Sequence, residues 1–494
     1  MLELIHKFTN QEIGVIKKGG SEQKEIDDVD EIKAFIGLLI YGGAKQDNHL
    51  TTTILFNVSQ CGYWYRTAMA LKRFEYLLRA LRFDDKTCRP DEKFAPISEL
   101  WGMFIEECKR WYKPGSYVTI DEQLVGFRGN CPFRMYLPNK PAKYGLKIIA
   151  MVDSSTKYLL NAIPYTGKGS TPANQPAAAY FVKKLVEPIE NSNRNITIDN
   201  WFTSIKLVSD MVEKGLTVVG TIRKDKIELP PSFVDVKFKN RKVGSSLFLY
   251  HSDMTAVSYK VKVNKLVTLV SSMHDTPELH PFSKKPFIIH SYNATKGGVD
   301  TLDQLCAHSS CNRKTKRWPV CFFYNMINIA CVNSFVIYQH NFQRLNHKKE
   351  NAGKPLTRLQ FMIKLHEQLT YNWKQKRLAN TVRMNSNLKH NISQSLVESL
   401  PAVDEPSTSH SIRIPKCSPD QTEVMHITVD EPSPGLKGET MERKKKIYYK
   451  LGNCAFCPSR LRKKAIASCS QCQRRICGGH IKKKENFCVD CSLE

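Results

Sequence analysis

The sequence predicts an α/β protein built on one mixed sheet, and three observations carry that prediction. First, strand-like segments follow one another from Tyr117: YVTIDEQLVGF, CPFRMYL, LKIIAMVD and KYLLNAIPY, parted by turns such as RGN and SST. That pattern suits an antiparallel meander of three or four strands. Second, AAAYFVKKLVEPI spaces its apolar residues as a helix does, and the short β-branched strand NITIDNWF comes next. A helix between strands favours a crossover, so the later strand is expected to pair parallel to the first. Third, VTIDEQ and ITIDNW both deliver an aspartate, Asp121 and Asp199. Parallel strands in similar register put two such acids near one sheet edge.

The elements follow in chain order. Residues 1–116 read as helices, because DEIKAFIGLLIYGG, FEYLLRALRFD and ISELWGMFIEECKRWY place apolar residues three and four apart. Residues 117–217 hold the meander, the helix and the second acid-tipped strand. Residues 218–292 are again strand-rich (SLFLYHS, TAVSYKV, KLVTLVSS) and read as a β insertion. A helix within 293–310 begins near Val299 and carries Asp300, with Asp303 one turn on and so on the same face. Residues 311–391 include an uncharged run from Val320 to Phe342 of a length that could span a bilayer. Asn325, Asn328, Asn333 and Asn341 interrupt it, so we read a buried core helix and no membrane partner. Residues 392–440 are rich in Ser, Pro, Glu and Asp, a composition that cannot bury a core, and are expected to form a disordered linker. Residues 441–494 hold a cysteine cluster.

A chain of 494 residues with 41% hydrophobic content is long enough for roughly three domains with buried cores. Its formal net charge of +27 predicts a polyanionic partner, nucleic acid first. The opening MLELIHKFTN has no basic segment followed by an apolar stretch, so secretion is not indicated and a soluble intracellular protein is expected. Nine cysteines lie singly through residues 1–440, as buried apolar residues of a reducing compartment do.

Crowded carboxylates repel, and are stable together at neutral pH only if protonated or if they share cations. Oxygen ligands suit Mg²⁺ or Mn²⁺, and two such ions about 4 Å apart support in-line phosphoryl displacement. A basic protein with this site is expected to cut or join nucleic acid strands.

The order of elements (strand with acid, two further strands, helix, strand with acid, insertion, helix with acid) resembles the ribonuclease-H-like fold of retroviral integrases and cut-and-paste transposases. The segments YVTIDEQLVGFRGNCPFRMYLPNKPAKYGLKI, NITIDNWFTS, TKGGVDTLDQLC and RKTKRWP are similar to the piggyBac family of transposases and their host-domesticated derivatives. The resemblance runs from about Ile32 to the end of the chain. It implies a catalytic core in 117–217 and 293–310, split by the insertion. It further implies a helical DNA-binding and dimerisation region in 1–116 and 311–391, whose first part is longer in relatives. By the same resemblance Asp121, Asp199 and Asp300 are the catalytic aspartates. Asp121 would bridge two metal ions, Asp199 and Asp300 would each complete one, and Asp303 would support them. Glu122 has no metal role in that picture. The resemblance implies a homodimer that acts on double-stranded DNA, excising transposon ends through hairpins and reinserting at TTAA. The alternative is a domesticated DNA- or chromatin-binding protein without transposition.

Arg128, Arg134, Lys140, Lys143 and Lys147 lie around the acids, and Arg313, Lys314, Lys316, Arg317 and Trp318 follow Asp303. As a set, the basic residues are expected to line a DNA channel. Trp318 is a candidate for contacting unpaired bases, with core packing as the alternative. At the C-terminus, Cys454-x2-Cys457, Cys469-x2-Cys472, Cys477-x2-His480 and Cys488-x2-Cys491 supply ligands for two tetrahedral Zn²⁺ sites. The spacing leaves their pairing open. The family resemblance implies Cys454, Cys457, Cys477 and His480 on one ion and Cys469, Cys472, Cys488 and Cys491 on the other. With 14 Lys/Arg against 4 Asp/Glu, residues 441–494 suit DNA or, alternatively, a chromatin partner such as a histone tail. ERKKK and RKK are candidate nuclear import signals, so a nuclear location is expected.

Overall fold

The computed structural model describes residues 1–19, 24–167, 169–346, 353–380 and 384–399, with the short strand pair 467–468 and 475–476. Every expected zinc ligand lies outside the described residues. The chain divides into two compact units, Met1–Val429 and Asp430–Glu494. Of the second, the antiparallel strand pair is described, with Ala467 opposite Ile476.

The first unit opens with helices α1 (Leu2–Lys18), α2 (Val29–Lys45), α3 (Thr52–Leu55), α4 (Gly62–Ala68), α5 (Leu71–Ala80) and α6 (Ala95–Arg110). Asp28 caps α2, its side chain accepting the Asp30 N–H at 2.7 Å. Strands β1 (Tyr117–Gly126), β2 (Met135–Tyr136), β3 (Tyr144–Asp153) and β4 (Leu159–Pro164) form the antiparallel meander. Helix α7 (Ala177–Val186) then crosses to β5 (Asn195–Ile198), and α8 (Ile205–Glu213) to β6 (Thr217–Thr221). Both crossovers yield parallel pairs, β1 with β5 and β5 with β6. The pairing of β1 is in register from Tyr117 opposite Asn195 to Ile120 opposite Ile198.

Residues 222–286 include α9 (Pro231–Val234) and the hairpin-connected strands β7 (Ser246–His251), β8 (Met254–Lys262) and β9 (Lys265–Ser271). These strands do not form a separate sheet. β9 pairs antiparallel with β6, Val219 opposite Ser271, and the strand order is β2-β3-β1-β5-β6-β9-β8-β7 with β4 also on β3. β6, which the sequence placed at the start of the insertion, is thus a central strand of the main sheet. β3 is buried along nearly its whole length, as a strand covered on both faces should be.

Helices α10 (Phe287–Thr295), α11 (Gly298–His308), α12 (Trp318–Asn346), α13 (Arg358–Ala379) and α14 (Ser386–Ser399) complete the unit. α13 packs on α2, where His366 Nδ1 lies 2.9 Å from the Gly37 carbonyl and Lys376 bonds Asp28 and Asp30 at 2.5 and 2.6 Å. The helices before and after the sheet therefore share one body. α14 runs past residue 392, where the sequence suggested a linker of low order. Ile392 and Ser395 are fully buried on one helix face, which the Ser-rich composition concealed.

α12 is long and apolar enough to cross a membrane by length and composition, yet 78% of its most apolar stretch is buried within the protein. Three of the asparagines that interrupt it are hydrogen-bonded in the core. Asn325 Nδ2 donates to Gln123 Oε1 at 2.9 Å, and Asn328 Oδ1 accepts the Cys311 N–H at 2.9 Å. Asn333 accepts the Leu159 N–H at 2.8 Å and donates to the Leu159 carbonyl at 2.9 Å, which pins α12 to β4. Replacing Asn333 by leucine leaves two buried backbone groups unpaired, so Asn333→Leu is expected to cost about 2–4 kcal/mol. Denaturant unfolding of the full chain measures this, and a change below about 0.5 kcal/mol, the scatter usual for surface sites, contradicts it.

Candidate active site

The in-register ladder between β1 and β5 ends at Ile120 and Ile198, and the next residue of each chain is an aspartate. Asp121 continues along β1, opposite Ala150 of β3. Asp199 instead starts a turn, its Oδ1 accepting the N–H groups of Trp201 at 2.8 Å and Phe202 at 3.4 Å. The Thr-Ile-Asp repeat thus sets both aspartates just past the end of the β1–β5 ladder, Asp121 midway along β1 and Asp199 directly after β5.

The third acid arrives on α11, and threonines aim it. Thr119 Oγ1 donates to the Thr295 carbonyl at 2.7 Å, and Thr197 Oγ1 lies 2.7 Å from Thr295 Oγ1. The end of α10 is thereby fixed across β1 and β5. α11 then starts at Gly298, where an added Cβ would stand 2.5 Å from Thr119 Oγ1 and 2.8 Å from Val152 Cγ2. A glycine is required for this close approach. Asp300 falls in the first turn, 58% exposed in its side chain, and Asp303 one turn later. Asp303 Oδ1 accepts from Gln123 Nε2 at 2.6 Å, and Gln123, two residues beyond Asp121 on the same strand face, is itself held by Asn325.

Two lysines enter this acidic region. Lys140 Nζ donates to Asp300 Oδ1 at 2.9 Å and to the Glu122 carbonyl at 2.8 Å. Lys147, buried on β3, sets its Nζ 3.9 Å from Glu122 Oε2 and 4.1 Å from the centre of the Trp201 ring. Burial, then the charge of Glu122, push the Asp121 carboxyl up to about 7, against the pull of Lys140. Burial also raises Asp199, again with Glu122 adding to it and the Trp201 N–H opposing. Asp303 is pushed up to about 6 by burial, in spite of its bond from Gln123. Burial pulls Lys140 down, but its bond to Asp300 and the surrounding acids prevail and raise it.

The donor set of hard carboxylate oxygens, crowded and reluctant to ionise, fits Mg²⁺ or Mn²⁺ in chemistry. In this conformation, however, no three described Asp, Glu, His or Cys side chains converge as a metal-ligand group. Asp300 is turned onto Lys140 instead, whose ammonium provides the cation there.

The remaining basic candidates separate into two groups. Arg128, Lys143, Lys314 and Lys316 are exposed. Arg134 is exposed too, yet its Nη1 donates to the carbonyls of Arg128 at 2.9 Å and Gly129 at 2.7 Å, bracing the turn after β1. Arg313 Nη1 donates to the Asn48 carbonyl at 2.9 Å. Arg317 bonds the carbonyls of Leu78, Arg79 and Leu81 at the C-terminal end of α5, and burial pushes its guanidinium down to about 10. Trp318 is buried, edge-on to Phe133 at 4.9 Å and stacked with Phe94 at 5.9 Å. Arg317 and Trp318 therefore take part in holding the fold, and for Trp318 this is the core packing that the sequence left open. The sequence reading missed Gln123 and the reach of Lys140 into the acids; the period of two from Asp121 was the available signal for Gln123.

A sheet that sets two acids side by side on parallel strands, with a third on an adjoining helix, invites comparison with strand-transfer proteins. A family model described as Transposase IS4 matches residues 1–335. The cryo-EM structure of a piggyBac transposase synaptic complex with hairpin DNA is 39% identical to the chain and superposes with a TM-score of 0.75, covering 99% of this chain and 94% of that one. PiggyBac transposable element-derived protein 3 of Homo sapiens is 26% identical over 282 residues, 53% of this chain and 47% of that protein. PiggyBac transposable element-derived protein 2 of Homo sapiens is 21% identical over 329 residues, 63% of this chain and 55% of that protein. The matches thus span about half the length of these curated relatives. The chain belongs to the piggyBac family of transposases and proteins derived from them.

The raised Asp121 pKa has a signed effect on stability. The folded state holds the Asp121 proton more tightly than the unfolded chain, so this group weakens folding as pH rises from about 4 to about 7. Asp121→Asn is expected to match the wild type near pH 4 and to exceed it at pH 8 by about 1–3 kcal/mol. Urea unfolding in EDTA across that range tests this, and parallel profiles for the two proteins would refute it.

Proposed function

We propose that the protein cleaves DNA at transposon ends and transfers the strands to a new site, using a ribonuclease-H-like core. The supporting observation is the register of β1 against β5, which aligns Asp121 with Asp199 at the point where α11 brings Asp300 and Asp303. In this reading Asp121, Asp199 and Asp300 hold two Mg²⁺ or Mn²⁺ ions. When bound, such ions activate the attacking hydroxyl and stabilise the leaving oxygen. Asp121, held partly protonated by burial and by Glu122, would serve as one of these ligands in its ionised form. Asp303 keeps Gln123 and the first turns of α11 in place beside β1. Lys140 releases Asp300 and turns to a phosphate oxygen of the strand. The proposal also includes TTAA as target, hairpin ends and a homodimer formed through 1–116 and 311–391, for which family membership and the hairpin-bound neighbour are the support.

The same proposal gives residues 441–494 two Zn²⁺ ions on Cys454, Cys457, Cys469, Cys472, Cys477, His480, Cys488 and Cys491. The described strands 467–468 and 475–476 flank Cys469 and Cys472 in sequence, as the strands of a zinc knuckle do. This basic segment would contact transposon-end DNA, with chromatin as a further partner, in the nucleus. A second reading, a domesticated DNA-binding protein without transposition, is favoured by the derived proteins among the relatives.

Nicking of transposon-end DNA in Mg²⁺ or Mn²⁺ tests the first reading. Asp121→Asn and Asp199→Asn are each expected to lower the rate by at least about 10²–10³-fold, the scale for removing one electrostatic catalytic group, with end binding retained. A wild-type protein that binds ends and never cuts them selects the second reading. For the C-terminal segment, elemental analysis of the purified chain is expected to find two zinc ions per chain, and a zinc-free protein with intact DNA binding would rule that assignment out.

A further inference from the structure

Lys147 lies on β3 opposite Leu124 of β1, so its side chain joins those of Glu122 and Leu124 on one face of the sheet. Asp121 and Gln123 point to the other face, where Gln123 meets Asp303 of α11. Lys147 is only 7% exposed, yet its ammonium reaches three separate stretches of chain. Nζ stands 4.1 Å from the centre of the Trp201 ring in the turn after β5, and 5.6 Å from that of Tyr165, which directly follows β4. On β1 it lies 3.9 Å from Glu122 Oε2. Burial pulls this ammonium down, with Glu122, Asp121 and Asp199 opposing it.

Two of its three partners are the residues whose backbone orients the acids. The Glu122 N–H donates to Asp121 Oδ1 at 2.8 Å, and the Trp201 N–H donates to Asp199 Oδ1 at 2.8 Å. One cation on the far face therefore holds both backbone donors, the first by charge and the second through its ring. A cation over an indole is attracted most strongly where water is excluded, as it is here. Burying a charge is costly unless it is partnered, so an apolar side chain of similar length would fill this space at lower cost. The retained charge calls for a role.

We propose that Lys147 is a positioning residue of this site: by holding Glu122 and Trp201 from the opposite face of the sheet, it fixes the carboxylates of Asp121 and Asp199 relative to each other. The inference rests on the strand-cleavage reading above, in which those two acids are metal ligands. It assigns part of their alignment to a side chain on the face of the sheet turned away from α11.

Titration of the full chain with Mn²⁺ alone tests this, because positioning and simple charge predict opposite signs. Removing a cation from beside acids tightens Mn²⁺ binding if charge alone matters. Lys147→Met is instead expected to weaken it by about 10–100-fold, the scale for losing a residue that supports metal ligands. Lys147→Arg, which can still pair with Glu122 and stack on the indole, is expected to retain most of the affinity. Trp201→Leu keeps the backbone N–H and removes the ring; it is expected to weaken Mn²⁺ severalfold, and it guards against a folding defect in the methionine variant. The two changes together are expected to weaken binding little more than the larger one alone, because they break the same contact. Equal or tighter Mn²⁺ binding in Lys147→Met, or fully additive effects in the double variant, would overturn the inference. In the nicking assay, Lys147→Met is expected to lower kcat by a similar factor with KM for end DNA unchanged. A wild type that shows these Mn²⁺ differences and never cuts counts against the strand-cleavage reading alone.

Discussion

Parallel, in-register pairing of β1 with β5 is the constraint on which the rest of the molecule depends. Four residue pairs, from Tyr117 with Asn195 to Ile120 with Ile198, fix where two aspartates emerge. A shift by one residue would turn one of them to the opposite face of the sheet. α7 makes the parallel arrangement possible, and the threonines at 119 and 197 use the same register to seat α10 and, through Gly298, the start of α11. One short ladder thus positions acids from three separate stretches of chain.

Electrostatics give that geometry its tension. Asp121, Asp199 and Asp303 are each reluctant to ionise, chiefly because water is excluded from them. The protein tempers this cost locally: Gln123 donates to Asp303, backbone N–H groups donate to Asp199, and Lys140 sits on Asp300. An ammonium on a flexible stem differs from a metal ion in that it neutralises one carboxylate without drawing three together. Asp300, 58% exposed in its side chain, is turned toward Lys140.

Much of this was legible in the sequence, and the limits have physical reasons. The strands bearing Asp121 and Asp199 announced themselves by a repeated β-branched pattern, and the intervening helix implied their parallel pairing. α11 was visible from the spacing of Asp300 and Asp303. β6 was assigned to the insertion because a five-residue strand does not say which neighbour it pairs with. α14 was cut short because two buried positions, Ile392 and Ser395, carry little weight in a Ser-rich stretch. Arg317 stood out only as a basic residue within RKTKRWP, and the carbonyls that it bonds lie more than 230 residues earlier. Such long-range partners leave no local trace, and neither does the aromatic cluster that encloses Trp318.

The continuity of the sheet has a mechanical consequence. β6 is bonded on one side to β5, which ends one residue before Asp199, and on the other to β9 of the inserted hairpins. The inserted strands therefore act as a lever anchored next to β5, and a load applied to β7 or β8 is passed through backbone hydrogen bonds to the turn that carries Asp199. Detaching them would also leave a raw sheet edge one strand away from that turn. In this architecture the segment that interrupts the core in sequence is part of what stiffens it in space.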